Sequence, residues 1–317
     1  MKILKPFLIA LLVFALTGCQ EALGKGQLKG TGLLIEDTIN DQGWGTKGYK
    51  GLLQVKDQFE TEVFYREEIK SKEQVLEAVH QFKKDGVNLV FGHGQIYAPI
   101  FQEIKADFPN LHFVSFNGIV SGDGITSVHF DSYAMGYFAG VLAGAMSESG
   151  QVGMIAAFPW QPEVTGFQEG VNVYNPNAVA SVQFVNSWSN TEKAIDILRK
   201  MEKMGVDVYY PAGDGYTIPV IKEVKDQGDY AIGFVSNMTD LGKQTVLTST
   251  VQHVDLLYVK IAKQFDNGEL KSGNRHYDFQ DGVISLAPFS DEVPKKLQKK
   301  LNKAVSVYKE TGKLPAP

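Results

Sequence analysis

The segment Gly86-Val87-Asn88-Leu89-Val90 is echoed by Gly205-Val206-Asp207-Val208-Tyr209, about 120 residues further along the chain. Each is a short β-rich run entered through a glycine, and together they are one pair of five. Runs at 31–35, 62–65, 87–91, 111–115 and 125–128 recur at 152–156, 181–185, 206–210, 230–234 and 245–248 with a nearly constant offset. A period of that length is far too long for a solenoid repeat, so the same unit of several strands is present twice. A second echo, Gly48-Tyr49 against Gly166-Phe167, falls in the same register.

Between the strands lie helical stripes: Val75, Leu76, Val79 and Phe82, then Ala194, Leu198 and Met201, then Val254, Leu257, Tyr258, Ile261, Ala262 and Phe265. Ser71 with Gln74, and Asn190 or Thr191, read as helix caps, and a further amphipathic segment runs over 291–310. Strand alternating with helix, where the strands are continuously apolar, predicts parallel sheets covered on both faces. The fold class expected is α/β, with two doubly wound parallel-sheet lobes. The first lobe is drawn at 29–130 plus about 251–275, and the second at 131–250 plus about 276–317.

The chain has 317 residues, 44% of them hydrophobic and 21% charged, which suits two globular lobes and excludes a disordered or fibrous protein. Its formal charge is −5, and −7 without residues 1–18, since Lys2 and Lys5 go with them. That sign argues against direct nucleic-acid binding, which calls for dense Lys and Arg along phosphates. With a single cysteine, neither an intrachain disulfide nor a cysteine-based zinc site can form.

That cysteine, Cys19, follows Leu16-Thr17-Gly18, a basic start and ten unbroken apolar residues at 7–16. Ten residues are too few to span a bilayer, which needs about 20. The arrangement reads as a lipoprotein signal peptide at 1–18, with Cys19 lipidated and 19–29 a flexible tether to the extracytoplasmic face of the cell membrane. A second uncharged stretch, YAMGYFAGVLAGAM at 133–146, is also too short to span. Gly136, Gly140 and Gly144 on one of its faces are expected to let the helix backbone press against a sheet.

Ligands of open α/β sheets bind beyond the carboxyl ends of the strands, and two lobes place the site in the cleft between them. The strand-end loops carry Asp37, Asn40, Asp41 and Trp44, then Asn117, in the first half, and Trp160, Trp188, Gly213 and Asp214 in the second. All three tryptophans fall in these loops, either as lobe packing or as aromatic walls for a flat or sugar-like ligand oriented by Asp37, Asn117 and Asp214. No nucleophile elbow, phosphate loop or zinc-protease motif occurs, and Gly92-His93-Gly94 reads as a tight turn. No catalytic residue, metal or cofactor is therefore expected.

Several motifs carry a resemblance. Asp37 with Trp44 and Tyr49-Lys50-Gly51-Leu52 is one, and Gly136-Tyr137-Phe138-Ala139-Gly140 another. PEVTGFQEG at 162–170, Pro211-Ala212-Gly213-Asp214-Gly215 and Thr248-Ser249-Thr250-Val251-Gln252 complete the set. On these the chain resembles the basic membrane protein (BMP) lipoproteins over residues 29–315, a family that looks like type I periplasmic binding proteins and includes purine-nucleoside receptors of ABC importers. The closer match lies with a competence-regulating member, through Asp37-Thr38-Ile39-Asn40-Asp41, Trp44 to Gly51 and Tyr210 to Tyr216. The resemblance implies that Trp44 and Trp188 stack on a ligand from opposite lobes and that Asn117 stands where the receptors carry Asp. It also puts Val235 and Gln252 where the receptors hold the ribose with an acid and a lysine. Losing both removes charge-assisted bonds of roughly 1.5–3 kcal/mol each, which argues against a purine nucleoside while leaving a cleft ligand expected.

The resemblance thus implies a membrane-anchored positive regulator of competence, acting on transcription indirectly. The alternative is the substrate-binding component of an ABC importer for a nucleoside-like or sugar-like molecule. The expected partners are the membrane through lipidated Cys19, a small-molecule ligand in the inter-lobe cleft, and a membrane permease or regulatory partner.

Overall fold

The computed structural model describes residues 27–40 and 43–314. The signal peptide, Cys19, most of the tether and Asp41 lie outside the described residues.

The apolar runs become two six-stranded sheets. The first contains β1 (Gly30–Leu34), β2 (Glu62–Arg66), β3 (Leu89–Gly92), β4 (His112–Phe116) and β5 (Ile125–Phe130). The second contains β6 (Gln151–Ala156), β7 (Val179–Phe184), β8 (Val208–Ala212), β9 (Tyr230–Gly233) and β10 (Val246–Gln252). Two further strands, β11 (Gly273–Tyr277) and β12 (Ile284–Leu286), complete the sheets in the orders β11-β5-β4-β3-β1-β2 and β12-β10-β9-β8-β6-β7. Adding five to each strand number of the first half reproduces the order of the second, which is the duplication read from the sequence. Central strands such as β1, β3 and β8 are buried along their whole length, whereas the edge strands β2 and β7 are half exposed.

β11 and β12 were not expected. Gly-Asn-Arg-His-Tyr has no apolar run to signal a strand; it is held beside β5 by parallel main-chain pairing from Gly273 with Thr126 to Tyr277 with Phe130. β12 pairs antiparallel with β10, the one departure from parallel order among the described strands.

Helices cover both sheets: α1 (Trp44–Phe59), α2 (Lys72–Lys84), α3 (Tyr97–Ile104), α4 (Tyr133–Met146), α5 (Pro162–Tyr174), α6 (Thr191–Glu202), α7 (Thr217–Gln227), α8 (Val254–Asp266) and α9 (Lys295–Thr311). At α2 the cap is reciprocal. Gln74 N donates to Ser71 Oγ at 3.3 Å and Ser71 N to Gln74 Oε1 at 3.0 Å, so two otherwise unpartnered amides are satisfied. Ser71→Ala should therefore cost about 1 kcal/mol, read as a lower urea midpoint with unchanged slope. Asn190 caps α6 by accepting from Lys193 N at 3.0 Å, with Thr191 already inside the helix. The final helix begins only after Pro294, four residues later than the periodicity suggests.

The glycine-rich helix α4 corrects one expectation. Its small-residue face meets α5, not a sheet. A Cβ at Gly136 or Gly140 would lie 2.1 Å from the backbone oxygens of Glu163 or Phe167, and Gly166 and Gly170 of α5 meet Tyr133 O and Tyr137 O at the same separation. Four glycines on two helices bring the backbones together, as small-residue stripes do in membrane bundles. No helix among the described residues is long and apolar enough to cross a membrane.

The chain passes between the sheets after β5, after β10 and between β11 and β12. These passages are tied to one another: Asp131 N donates to Tyr277 O at 2.9 Å, His253 N to Val283 O at 2.8 Å, and Gln252 Nε2 to Ser132 Oγ at 3.3 Å.

Candidate functional site

In the first sheet the strand order reverses around β1, which is flanked by β2 and β3; in the second it reverses around β6, flanked by β7 and β8. Loops leaving strands at such reversals diverge to opposite faces and open a crevice. Trp44 follows β1 and His93 follows β3. Phe158 and Trp160 follow β6, Trp188 follows β7, and Gly213 and Asp214 follow β8. Trp44 and Trp160 therefore stand at the switch points, and Trp188 follows the edge strand beside the second of them.

Trp44 opens α1 and lies on His93, with ring centroids 4.3 Å apart and planes 12° from parallel; Phe116 meets it edge-on at 5.8 Å. The tight turn expected at Gly92-His93-Gly94 is present, with Gly94 N donating to Gly92 O at 2.9 Å, and its central side chain has a further role. His93 is buried, with Nε2 at 2.7 Å from Trp44 O and Nδ1 at 2.9 Å from Tyr258 Oη. A carbonyl only accepts, so Nε2 carries the hydrogen and Nδ1 accepts from Tyr258. His93 thus fixes both the ring and the backbone of Trp44. Gly48 supplies the room, since a Cβ there would sit 2.7 Å from the imidazole. The only hint of this role in the sequence is a histidine between two glycines after an apolar strand.

On the second sheet Phe158, Trp160 and Trp188 form one aromatic cluster. Trp160 stacks on Phe158 at 5.3 Å, and Trp188 meets both edge-on at 5.5 and 5.9 Å. Trp160 is 61% exposed, so the cluster presents an aromatic surface. Asp214 N and Gly215 N both donate to Trp188 O at 3.0 Å, which ties the carboxylate-bearing loop to the tryptophan loop. Gly213 has a packing reason: a Cβ would strike the Tyr216 ring at 2.2 Å, and Tyr216 is buried with its hydroxyl on Ile155 O.

Asn117 directly follows Phe116, against which Trp44 packs, and holds φ at 60°, a left-handed conformation that Asn tolerates. Asp37 Oδ1 pairs with Lys70 Nζ at 2.7 Å on the exposed surface.

Lys47 joins these residues through the tertiary structure alone. One turn beyond Trp44 on α1, its Nζ donates to Val235 O at 2.7 Å and Gln252 O at 3.3 Å, across to the second sheet. Burial pulls its pKa down from 10.5 to about 8, against the opposing pull of Asp214 and Asp255, with Lys50 adding a smaller push downward. Val235 and Gln252 are the positions where an acid and a lysine were expected from the resemblance, and the charge there comes instead from the opposite lobe. Nothing in the spacing of Lys47 signals this. Among the described residues, no cluster of three or more metal-ligating side chains occurs.

Two α/β sheets joined by three passages form the fold shared by type I periplasmic solute-binding proteins. The chain belongs to the Bmp family, described as ABC transporter substrate-binding protein PnrA-like, whose profile matches residues 29–316. It is 45% identical over 300 residues to the transcriptional activator protein Med of Bacillus subtilis, spanning 95% of each chain. A solved transcriptional activator of the comK gene from Bacillus halodurans superposes with a TM-score of 0.86 at 49% identity, covering 90% of this chain and 99% of that one. A purine-binding protein of Brucella abortus is 27% identical over 217 residues, 68% of this chain and 61% of that protein.

Proposed function

We propose that the protein is a Med-like, membrane-anchored extracytoplasmic lipoprotein of the Bmp family that promotes competence development indirectly, through a cleft of the substrate-binding type. Similarity to Med along nearly the whole chain carries the regulatory part of this reading. The aromatic residues at both switch points support a working cleft, with Trp44, Asn117, Trp160, Trp188 and Asp214 as its contact residues, Gly213 shaping the loop and Asp37 at its rim. Anchorage rests on Cys19 and its context. The lobes are those drawn from the sequence, 29–130 plus about 251–275 and 131–250 plus about 276–317, a division that sheet membership supports once β10 is counted whole, to Gln252, with the second lobe and β11 whole, to Tyr277, with the first. An acidic extracytoplasmic protein reaches transcription through a partner at the membrane, not by holding DNA.

The test is complementation in a Bacillus subtilis strain lacking Med. The full chain should restore transformation frequency and Cys19→Ala should not, with the protein recovered from the soluble fraction. Restoration by Cys19→Ala would overturn the anchored reading.

The family description favours a second reading, the binding component of an ABC importer. A thermal-shift screen against nucleosides, bases, sugars and small peptides separates the two. Ligand at 100 times Kd stabilises by about 2.7 kcal/mol, and Trp44→Ala should abolish any such shift. A hit whose uptake is lost on gene deletion supports the importer; a cooperative melt with no hit supports the regulator.

A further inference from the structure

The helix α1 packs on α8 and stands against the first sheet, yet Lys47 sends its amino group out of that layer. Both of its hydrogen-bond acceptors belong to the second sheet, since Val235 follows β9 and Gln252 ends β10. The receiving site is built with some strain. Val235 holds φ at 63°, a left-handed conformation that a β-branched residue avoids and that persists only where the surroundings impose it. In that conformation its carbonyl accepts from Gln252 N at 3.0 Å as well as from Lys47, so the loop after β9 is pinned to the end of β10 beneath the ammonium.

The ammonium itself has little else. Among the described residues no carboxylate lies within ion-pairing distance of Lys47; Asp214 and Asp255 act on it only through space. A charge partly withdrawn from water and held by two carbonyls of the opposite layer exchanges those partners for hydration when the layers separate, and the lowered pKa registers what that hydration is worth. Hydrogen bonds to a charged group retain net strength in that exchange, where neutral ones nearly cancel.

We propose that Lys47 is an inter-lobe latch: by bridging from α1 to the Val235 and Gln252 carbonyls, it holds the two lobes together. The latch depends on no particular ligand and goes beyond the functional reading above. Because Lys47 lies one turn from Trp44, whatever moves the aromatic wall also works the latch. One charge-assisted bond shifts a closed-to-open ratio by roughly tenfold or more.

Spin labels at Lys84→Cys on α2 and Lys222→Cys on α7, both exposed, report the separation of the lobes in the full-length chain carrying Cys19→Ser in detergent. The ligand-free parent should give one distance population by pulsed electron resonance. Lys47→Met, which keeps the aliphatic stem, should add a longer population, and Lys50→Met, which removes the same charge from an exposed neighbour, should not. Superimposable distributions for the parent and Lys47→Met would overturn the latch, as would equal opening by Lys50→Met. If Lys47→Met melts without cooperativity, Lys47→Gln is labelled in its place, with the same two outcomes deciding.

Discussion

Gly140→Ala should destabilise the protein by roughly 3 kcal/mol, the upper range for overpacking a tight core. The added methyl carbon would lie 2.1 Å from Phe167 O and 2.9 Å from Val171 N, both backbone atoms of α5 that no rotamer change can move. The helices α4 and α5 must then separate, and each is packed on the second sheet as well as on its neighbour. Gly170 faces α4 at the same 2.1 Å, so any separation is shared along the whole crossing. Helix propensity alone would favour alanine over glycine by about 1 kcal/mol, so the two effects have opposite signs and the contact distance decides. Gly150→Ala is the contrast: nothing lies within 4 Å, but φ is 72°, so its cost is confined to the turn. A urea midpoint for Gly140→Ala equal to that of the parent would show that the crossing can relax, contrary to this packing.

Glu163→Gln should stabilise the protein above neutral pH and leave it nearly unchanged near pH 4. Glu163 sits in the first turn of α5, normally a good place for an acid, yet it is buried. Burial is the dominant cause that raises its pKa from 4.5 to about 7, with Asp131 adding to it and hydrogen bonds from its own amide and Ser132 opposing. The folded state therefore keeps a proton that the unfolded chain gives up. Below about pH 4.5 both states are protonated and the group has no effect. Between 4.5 and 7 only the unfolded chain ionises, so stability falls as pH rises; above 7 the penalty is complete, at about 3 kcal/mol by linkage. Glutamine keeps the shape without the charge. Urea midpoints of parent and variant at pH 4 and pH 8 measure this, and a gain equal at both values would mean that the carboxyl does not titrate with folding.

Much of the fold is legible in the sequence because its signals are local. The ten strands of the duplicated halves come from short apolar runs, and the capping box at Ser71 is read from Ser and Gln three residues apart. β11 escapes because Gly273 to Tyr277 is a strand only through its pairing with β5, nearly 150 residues earlier. For the site, Trp44, Trp160, Trp188 and Asp214 stand out as tryptophans and an acid at strand ends. His93 and Lys47 do not, since a buried histidine between glycines looks like a turn and a lysine on an amphipathic helix looks solvated.

Composition, periodicity and the 120-residue echo thus settle the α/β class, the doubling and the loops that can carry chemistry. Which side chains meet is decided by tertiary structure. Asp37 turns to Lys70, α4 finds the glycines of α5 instead of a sheet, and Lys47 reaches carbonyls 188 and 205 residues away in the chain. The reason is physical: strand and helix periods are imposed by neighbours a few residues apart, whereas a half-buried ammonium, a stacked indole and a carbonyl in a left-handed turn acquire their energies only from partners that folding brings together.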